Sequence, residues 1–412
     1  MGKMKALRCP RCGWEPATNT TFQCDGCAAV LEVVLDLRHL TRSNLLSIRR
    51  DTHTNLWRWF EFFPVQNKSS VVSLGEGYTP LVRAGRLGRE LGLRQLYIKN
   101  DGLLPSGSLK DRSNTVGISR AVELGFDTVA VPSTGNAAAS VAMYAAAAGL
   151  RSVVLVPADT DRAKITQAYA CGANVLLLEE SLDGIGSLYR SALAEFGWYD
   201  CLSTNPYRNE GKKSYAFELF DQMDEHVPEW IIHPTAGGAG IWAMWKGYEE
   251  LQTLGWAHRG PQLVAAQSEG AAPIVAAFEK GSSEVEPVTA GATVAESIRV
   301  GNPHALGSRA LKALRASGGR AVAFSDEEIL AAQRSLSRLA GIFAEPAGAV
   351  SVAAAQRLRA EGVIGENQVV VCNVTGNGLK QPSSVTVPAA MLEPVAPKLD
   401  ALRARLEDGV RD

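Results

Sequence analysis

The sequence of 412 residues lacks a large net charge of either sign, since its 42 basic and 43 acidic residues leave only −1 at pH 7. This balance argues against a nucleic-acid or membrane surface held by bulk charge. The chain also lacks an apolar run long enough to span a membrane. Its start, MGKMKALRCP, passes from basic residues into Cys and Pro without the apolar core of a secretory signal. We therefore expect a cytoplasmic protein with no nucleic-acid or membrane partner.

Cysteine is scarce beyond residue 27, where Cys171, Cys201 and Cys372 each stand alone in an apolar or mixed stretch. In a reducing compartment, such cysteines are more often packed as small hydrophobic residues than paired in disulfides. Hydrophobic residues make up 46% of the chain, which allows a large core and argues against wholesale disorder. The length suits two or three packed units.

The other four cysteines form two Cys-x-x-Cys pairs in RCPRCGWEPATNTTFQCDGC, residues 8–27. Each pair lets two thiolates of a tight turn converge on one metal, and a second pair completes a tetrahedral four-sulfur site. Cys9, Cys12, Cys24 and Cys27 are therefore predicted to bind zinc. A closed four-sulfur site has no open position, so the zinc would be structural. The alternative is a set of reduced cysteines that binds no metal.

From about residue 71, short apolar runs alternate with stretches that look helical. TVAVPS is followed by NAAASVAMYAAAAGL, SVVLVPA, DRAKITQAYACGA and NVLLLEE, and EWIIHP, QLVAAQSEG and QVVVCNVTG come later. Apolar runs between helices are typical of parallel sheets covered on both faces, and this length requires more than one such sheet. Residues 40–70 look helical and aromatic. The tail KLDALRARLEDGVRD, after Pro397, is predicted to be a charged amphipathic helix.

Three loops follow apolar runs at the places where parallel sheets bind ligands, beyond the carboxyl ends of strands and near helix N-termini. These loops are STGNAAA at 133–139, TAGGAG at 235–240 and TGNG at 375–378. The small residues of the second loop let backbone N–H groups approach a phosphate, and the helix dipole adds to the attraction. Each loop taken singly is explained at least as well by a helix cap or a tight turn.

Lys110 lies in PSGSLKDRSN, residues 105–114, where small turn-forming residues precede a lysine. A lysine amine forms a Schiff base with an aldehyde cofactor, and an anion loop can bind the phosphate of that cofactor. An amide can bind the phenolic oxygen of the cofactor, and a hydroxyl can meet its ring nitrogen. Taken together, the three loops and the lysine predict a pyridoxal phosphate site.

The sequence resembles the threonine synthases, within the tryptophan-synthase-β-like (fold type II) pyridoxal phosphate enzymes. The resemblance covers nearly the whole chain, through the double-Cys segment followed by LEVVLDL, then GEGYTPLV, PSGSLKDRSN, PSTGNAAAS, NPYRNEGKKSYAFEL, PTAGGAGIWAMWKGYEEL, QSEGAAPIVAAF, ESIRVGNP, GIFAEPAGAVS and VTGNGLK. It implies an α/β fold with two parallel-sheet three-layer domains and a zinc-ribbon-like segment at 1–36. The catalytic region would span 37–412, with a smaller mobile subdomain at about 113–203. Relatives are often homodimers, so a homodimer is expected.

The resemblance also implies the residues that bind the cofactor. Lys110 would be the Schiff-base lysine and proton shuttle. Asn136 would bind the phenolic oxygen, and Thr375 would face the pyridine nitrogen. The residues that would hold the cofactor phosphate are Ala236, Gly237, Gly238, Ala239 and Gly240.

The implied substrate is a small amino acid, O-phospho-L-homoserine, converted with water to L-threonine and phosphate by γ-elimination and β-addition. Ser133 and Thr134 would lie near its carboxylate. Ser203 and Arg208 would lie near its phosphate, to which the planar guanidinium of arginine can bond through two nitrogens. A neutral hydroxyl at the ring nitrogen favours elimination and replacement over transamination.

Several positions depart from the family pattern. The phosphate loop, usually a nearly unbroken glycine run ending in Asn, is AGGAG here. Ala137 stands where threonine synthases commonly have Thr, Leu202 stands where they tend to have Asn, and SLKDR replaces SFKDR. The resemblance implies that the polar groups lost at positions 137 and 202 would lie on the substrate-phosphate side. Losing two hydrogen bonds to a charged group costs on the order of 3 kcal/mol in binding.

These departures leave alternatives open. They could be neutral drift compensated by neighbouring residues, or changes that let the enzyme escape an inhibitor that mimics the substrate phosphate. The chain could be a divergent paralogue that performs β-replacement or β-elimination on O-phosphoserine or another activated amino acid. Such a paralogue would resemble cysteate synthase or serve a specialised amino-acid pathway. A catalytically silent binding protein with the same fold is a third possibility, against which the intact Lys110, Asn136 and Thr375 count.

Overall fold

The computed structural model describes residues 4–180 and 182–409. The strands of these two ranges are β1 (Met4–Arg8), β2 (Glu32–Leu35), β3 (Leu81–Arg83), β4 (Gln95–Asn100), β5 (Thr128–Pro132), β6 (Arg151–Pro157), β7 (Asn174–Leu178), β8 (Tyr199–Asp200), β9 (Trp230–Pro234), β10 (Gln262–Ser268), β11 (Arg320–Phe324) and β12 (Val369–Val374). The α-helices are α1 (Arg42–Arg50), α2 (Gly85–Leu91), α3 (Lys110–Glu123), α4 (Asn136–Ala148), α5 (Arg162–Ala170), α6 (Leu182–Phe196), α7 (Pro206–Gly211), α8 (Ser214–Gln222), α9 (Ala239–Thr253), α10 (Pro273–Glu279), α11 (His304–Ala316), α12 (Asp326–Ala340), α13 (Pro346–Ala360) and α14 (Leu399–Gly409).

The larger sheet has the strand order β11-β10-β9-β12-β4-β3, and its neighbouring strands are parallel except for β3, which runs antiparallel to β4. Both of its faces are covered, because alternate residues of one strand pack on opposite sides. Ile231 and Val371 pack in a cluster with residues of α8, α9 and α11, whereas Ile232 and Cys372 pack in a cluster with residues of α2, α12 and α13. This sheet therefore forms the middle of three layers.

The smaller sheet has the order β7-β6-β5-β8 and is parallel throughout. On one face, Val129 and Val154 pack with residues of α3, α4 and α5. On the other face, Ala130 and Val153 pack with α6. The prediction of more than one parallel sheet covered on both faces is confirmed, and each apolar run quoted above as a strand contains one.

The N-terminal segment forms a two-stranded antiparallel sheet of β1 and β2, which carries the cysteine pairs. It packs on the body of the protein through α7 and α9. The hydroxyl of Tyr207 donates to the carbonyl of Asn19 at 2.9 Å, and the ring of Phe22 meets that of Tyr207 edge-on at 5.8 Å. The Lys246 amine donates to the carbonyl of Val33 at 2.8 Å.

The aromatic stretch at 40–70 is helical in part. It contains α1 and then a 3-10 helix at Leu56–Phe62, which is interrupted at Trp59. The predicted C-terminal helix is α14, and the last residues of that prediction, 410–412, lie outside the described residues. Cys201 and Cys372 are buried and Cys171 is half-buried, and none of the three forms a disulfide. Within the described ranges, no helix combines the length and the apolar character that crossing a bilayer requires.

Candidate active site

Lys110 is positioned by a contact between two loops that lie far apart in the sequence. The amide of Leu109 donates to the carbonyl of Thr375 at 2.9 Å, and the amide of Asn377 donates to the carbonyl of Gly107 at the same distance. Gly107 adopts φ +79°, a backbone conformation that favours glycine. These bonds bring the first residue of α3, Lys110, to the carboxyl end of β12.

The first turn of α3 is fixed by the side chains that follow Lys110. The Asp111 carboxylate accepts from the backbone amide of Ser106 at 2.7 Å and from the hydroxyl of Ser140 at 2.6 Å. Burial raises the pKa of Asp111 to about 6, and the hydrogen bonds from Ser106 and Ser140 oppose this shift. Asp111 therefore ties α3 to both the preceding loop and α4.

Arg112 is fully buried and binds two carboxylates. Its Nε donates to Asp101 at 2.7 Å, and its two terminal nitrogens donate to Glu218 at 2.5 and 3.0 Å. The guanidinium also lies 4.2 Å from the ring centroid of Tyr215. Burial alone would raise the pKa of Glu218, but the charges of Arg112 and Lys99 outweigh it and lower that pKa to about 2. This ion pair fixes α3 against α8 beneath the site.

The amine of Lys110 opens on a cavity of about 400 Å³. Burial, and then the positive charge of Arg208, lower its pKa, while Glu345 opposes the shift. A lowered pKa makes the neutral amine more accessible, and the neutral amine is the form that acts as nucleophile and base. The environment of Lys110 thus suits a reactive lysine.

The loop between β9 and α9 presents free backbone donors to the cavity. Gly238 is the N-cap of α9 with φ +90°, and no side chain caps this helix. The first N–H groups of a helix have no partner within it, so those at 238–240 are available to an anion. A Cβ at Gly238 would lie 2.7 Å from the Cβ of Ala310, which excludes a side chain there. The two alanines of the loop, Ala236 and Ala239, leave the donors in place.

His233 packs against this loop at Gly240. It was not predicted from the sequence as a site residue. A Cβ at Gly240 would lie 2.2 Å from its Nε2, so the imidazole fills the space that a side chain at position 240 needs. The Asn373 amide lies 3.1 Å from His233 Nδ1. Burial, and secondarily the charge of Lys212, lower the pKa of His233 to about 3, so the ring is neutral. The position of the His233 ring therefore requires glycine at position 240.

Asn136 is the first residue of α4 and faces a carboxylate that the sequence did not single out. Its amide donates to Glu345 at 3.0 Å, and the Ser297 hydroxyl donates to the same carboxylate at 2.6 Å. Burial raises the pKa of Glu345, with Ser297 and Asn136 opposing the shift. Glu345 lies in the quoted motif GIFAEPAGAVS, directly before α13.

Arg208 reaches the cavity from α7. Its Nε donates to the Asn114 side chain at 2.9 Å, which orients the guanidinium. Its stem packs on α3 at Gly117, where a Cβ would lie 2.5 Å from Arg208 Cγ. Ser203 lies in the loop before α7, and its carbonyl accepts from the side chain of Asn209 at 2.9 Å.

One cavity brings together every residue predicted to bind cofactor or substrate. Ala137 and Leu202, the two departures on the substrate side, line it as well. The predicted residues in its wall are Lys110, Ser133, Thr134, Asn136, Ser203, Arg208, Ala236, Gly237, Gly238, Ala239, Gly240 and Thr375.

The wall also contains charged side chains that the sequence reasoning missed. These are the basic side chains of Lys164, Lys212 and Lys380 and the carboxylates of Glu296 and Glu345, so that with Lys110 and Arg208 the basic groups outnumber the acidic ones. Such an excess suits a ligand that carries phosphate. Lys212 could have been predicted from the sequence, because it follows Arg208 by four residues, about one helical turn, and so lies on the same side.

The four N-terminal cysteines also come together. Their sulfur atoms all lie within 4.8 Å of one another, with Cys9 and Cys27 at 3.5 Å and Cys12 and Cys24 at 3.5 Å. These separations are far longer than a disulfide bond. They approach the spacing of about 3.8 Å expected between ligands around a tetrahedral zinc with bonds of about 2.3 Å. The donor set therefore fits zinc.

Comparison with known proteins agrees with this geometry. The family described as "Pyridoxal-phosphate dependent enzyme" matches residues 72–376, which contain Lys110, the loops at 133–139 and 235–240, and Thr375. Threonine synthase of Methanocaldococcus jannaschii is 39% identical over 92% of this chain and 93% of its own length. Threonine synthase of Methanosarcina acetivorans is 39% identical over 97% of this chain and 98% of its own. The chain belongs to the threonine synthase family.

Solved structures share the fold of this family at lower identity. Maize serine racemase superposes with a TM-score of 0.65 at 20% identity, covering 80% of this chain and 93% of its own. Threonine deaminase isoform 2 from Solanum lycopersicum superposes with a TM-score of 0.64 at 19% identity, covering 85% and 92%. The predicted fold type II architecture is thus confirmed, and these similarities concern the fold alone.

Proposed function

We propose that this member of the threonine synthase family converts O-phospho-L-homoserine and water to L-threonine and phosphate. The observation that carries the proposal is the convergence of Lys110, the 236–240 loop, Asn136 and Thr375 on one cavity. Each loop alone has an ordinary structural explanation, but chance does not readily gather all four around a single cavity. The excess of basic side chains over acidic ones in that cavity suits a cofactor and a substrate that both carry phosphate.

The chain's own residues would hold pyridoxal phosphate as follows. The backbone N–H groups of 236–240 would bind its phosphate, the Asn136 amide its phenolic oxygen, and the Thr375 hydroxyl its ring nitrogen. The glycines and the uncapped start of α9 make the phosphate contact sterically possible. When bound, the cofactor supplies the electron withdrawal that labilises bonds on the amino-acid carbon chain.

Lys110 would act as the base and acid of the reaction. It would take a proton from the α carbon and later donate protons to the substrate. Burial and the charge of Arg208 lower the pKa of Lys110, which favours the neutral amine that acts as a base. Ser133 and Thr134, at the N-terminal end of α4, would bind the substrate carboxylate, and Ser203 and Arg208 its phosphate. In the overall change, the bond from the γ carbon to the phosphate oxygen breaks with loss of a β proton, and water then supplies a hydroxyl to the β carbon while the γ carbon gains a proton.

The purified protein, reconstituted with pyridoxal phosphate, is expected to release phosphate and threonine in equal amounts from O-phospho-L-homoserine. A coupled phosphate assay and amino-acid chromatography measure the two products in the same sample. Phosphate released without threonine would contradict the proposal. Turnover of O-phosphoserine in place of O-phospho-L-homoserine would instead identify a divergent paralogue.

We also propose that Cys9, Cys12, Cys24 and Cys27 bind one structural zinc. The prediction is about one zinc ion per chain by mass spectrometry, and its loss in Cys24→Ser, because a three-sulfur set no longer closes the site. Cys171→Ser, outside the cluster, is the matched control and is expected to retain the metal. Equal zinc content in both variants would contradict the assignment.

Three further predictions about the organisation of the protein belong with this proposal. We propose the zinc-ribbon-like segment at 1–36, the catalytic region at 37–412, and a mobile subdomain at about 113–203. The four strands of the smaller sheet lie between residues 128 and 200, which supports the last boundary. A homodimer and a cytoplasmic location remain predictions from the sequence.

A further inference from the structure

Lys212 is a buried lysine whose amine has no acidic partner in the described part of the chain. It is only 8% exposed, and it lines the cavity. Among the residues that the structure describes, its amine has no ion pair and no hydrogen bond. Burial and the positive charges of Lys110 and Arg208 lower its pKa well below the usual value. A buried amine in this position is costly unless an anion joins it.

The neighbouring lysine shows that the lack of a partner is specific to Lys212. Lys213 is also fully buried, but its amine binds Glu210 at 2.6 Å and Glu250 at 2.7 Å. The carboxylates in the cavity wall are engaged by other groups. Glu296 pairs with Lys164 at 2.5 Å, and Glu345 accepts hydrogen bonds from Asn136 and Ser297.

Lys212 shares a helix face with Arg208. It directly follows α7 and keeps helical backbone angles, φ −73° and ψ −16°, so it lies one turn beyond Arg208 on the same side. Two like charges at this spacing repel each other. The terminal nitrogens of Arg208 have no hydrogen bond to other described residues, because its contact with Asn114 uses Nε. Two basic groups without an acidic partner in the described ranges therefore face the same space.

We propose that Lys212 and Arg208 together bind the phosphate group of the substrate, with Lys212 as a specificity-determining residue. The inference rests on the proposed function and extends it. Ala137 and Leu202 offer no side-chain hydrogen bond to a phosphate in this cavity, and the ammonium group of Lys212 supplies a charged donor there instead. Charge-assisted hydrogen bonds are about twice as strong as neutral ones. A dianion at this place also relieves the repulsion between the two cations.

The test compares Lys212→Gln with wild type, both as holoenzymes. We expect kcat/KM for O-phospho-L-homoserine to fall about 10- to 100-fold, mainly through KM, as for the loss of one charged hydrogen bond. The inhibition constant of inorganic phosphate is expected to rise by a similar factor. The dissociation constant of pyridoxal phosphate, followed by cofactor absorbance, should change less than about threefold. Lys212→Arg should recover most of the loss, and Lys312→Gln, at an exposed site, is the control.

Three outcomes would overturn the inference. Unchanged phosphate inhibition in Lys212→Gln would mean that the amine does not bind the anion. A large rise in the pyridoxal phosphate dissociation constant, with phosphate inhibition unchanged, would assign Lys212 to the cofactor. A similar loss in Lys312→Gln would show that the effect is not local. Lys212→Met is the second variant, in case Lys212→Gln does not fold.

The phosphate measurement separates this inference from the proposed function. If wild type does not turn over O-phospho-L-homoserine, the proposed function fails. Inorganic phosphate binding to the wild-type holoenzyme, weakened in Lys212→Gln, would still support an anion site at Lys212. Because the amine must be protonated to bind, the affinity of wild type for phosphate should also fall more steeply with rising pH than that of Lys212→Gln.

Discussion

Lys110→Ala is expected to reduce turnover at least about 10³-fold, because it removes both the nucleophilic amine and the group that moves protons. The visible absorbance band of lysine-bound pyridoxal phosphate should disappear with it. The fold should persist, because the Lys110 amine forms no ion pair and no hydrogen bond with the residues that the structure describes. The backbone amide of residue 110, which donates to the Ser108 hydroxyl at 3.4 Å, is kept in the variant. Turnover at 1 mM substrate and the absorption spectrum are the two measurements.

The control for this variant is Lys280→Ala, which changes a lysine on the exposed surface. It should keep both the turnover and the absorbance band. Thermal unfolding of all three proteins shows whether Lys110→Ala is folded. Substantial turnover in folded Lys110→Ala would refute the role of Lys110, and with it the proposed function.

Arg112→Ala is expected to lower the free energy of unfolding by about 3–5 kcal/mol, as the loss of one partner from a buried ion pair does. The reason is that Asp101 and Glu218, both fully buried, lose the guanidinium that binds them. Lys99 still pairs with Glu218 at 2.7 Å, but among the described residues Asp101 keeps only neutral donors, the hydroxyls of Thr79 and Tyr215. Urea denaturation followed by fluorescence measures the change.

The matched control is Arg151→Ala, which removes an arginine from an exposed pair with Asp127. Exposed pairs contribute about 0–1 kcal/mol, so this variant should unfold close to wild type. Equal destabilisation by the two substitutions would contradict the view that burial makes the Arg112 ion pair indispensable. Because Arg112 follows Lys110 by two residues, partial unfolding near α3 should also weaken cofactor binding.

The sequence was sufficient to predict the strands that appear as continuous apolar runs. Apolar runs such as TVAVP and QVVVCNV are strands because a sheet buried on both faces needs no alternation of polar residues. The short edge strand β3 and the two-residue β8 have no comparable run and were not predicted. The stretch after Asn55 was predicted as helical, but it folds as a 3-10 helix with an interruption at Trp59, where aromatic packing decides the backbone.

In the site, the sequence indicated the residues that occur in recognisable loops. Residues rich in Gly, Ser and Asn surround Lys110, Asn136 and the 236–240 loop. The turn and helix-cap preferences of these residue types can be recognised from the sequence alone. Glu345 and His233 were missed because their importance arises from contacts across the fold, with Asn136 and with Gly240 respectively. No spacing rule in the sequence connects either pair.

The contact between the loop at 105–109 and the loop at 375–377 has a consequence for biosynthesis. A ribosome completes the chain from the N-terminus, and domains generally fold as they emerge. The hydrogen bond from the amide of Leu109 to the carbonyl of Thr375 cannot form until Thr375 has been synthesised, near the end of translation. A nascent chain that stops before β12 therefore lacks both the hydroxyl of Thr375 and the bond that holds the start of α3. We therefore expect such fragments not to retain the cofactor, and we expect cofactor binding to follow the synthesis of β12.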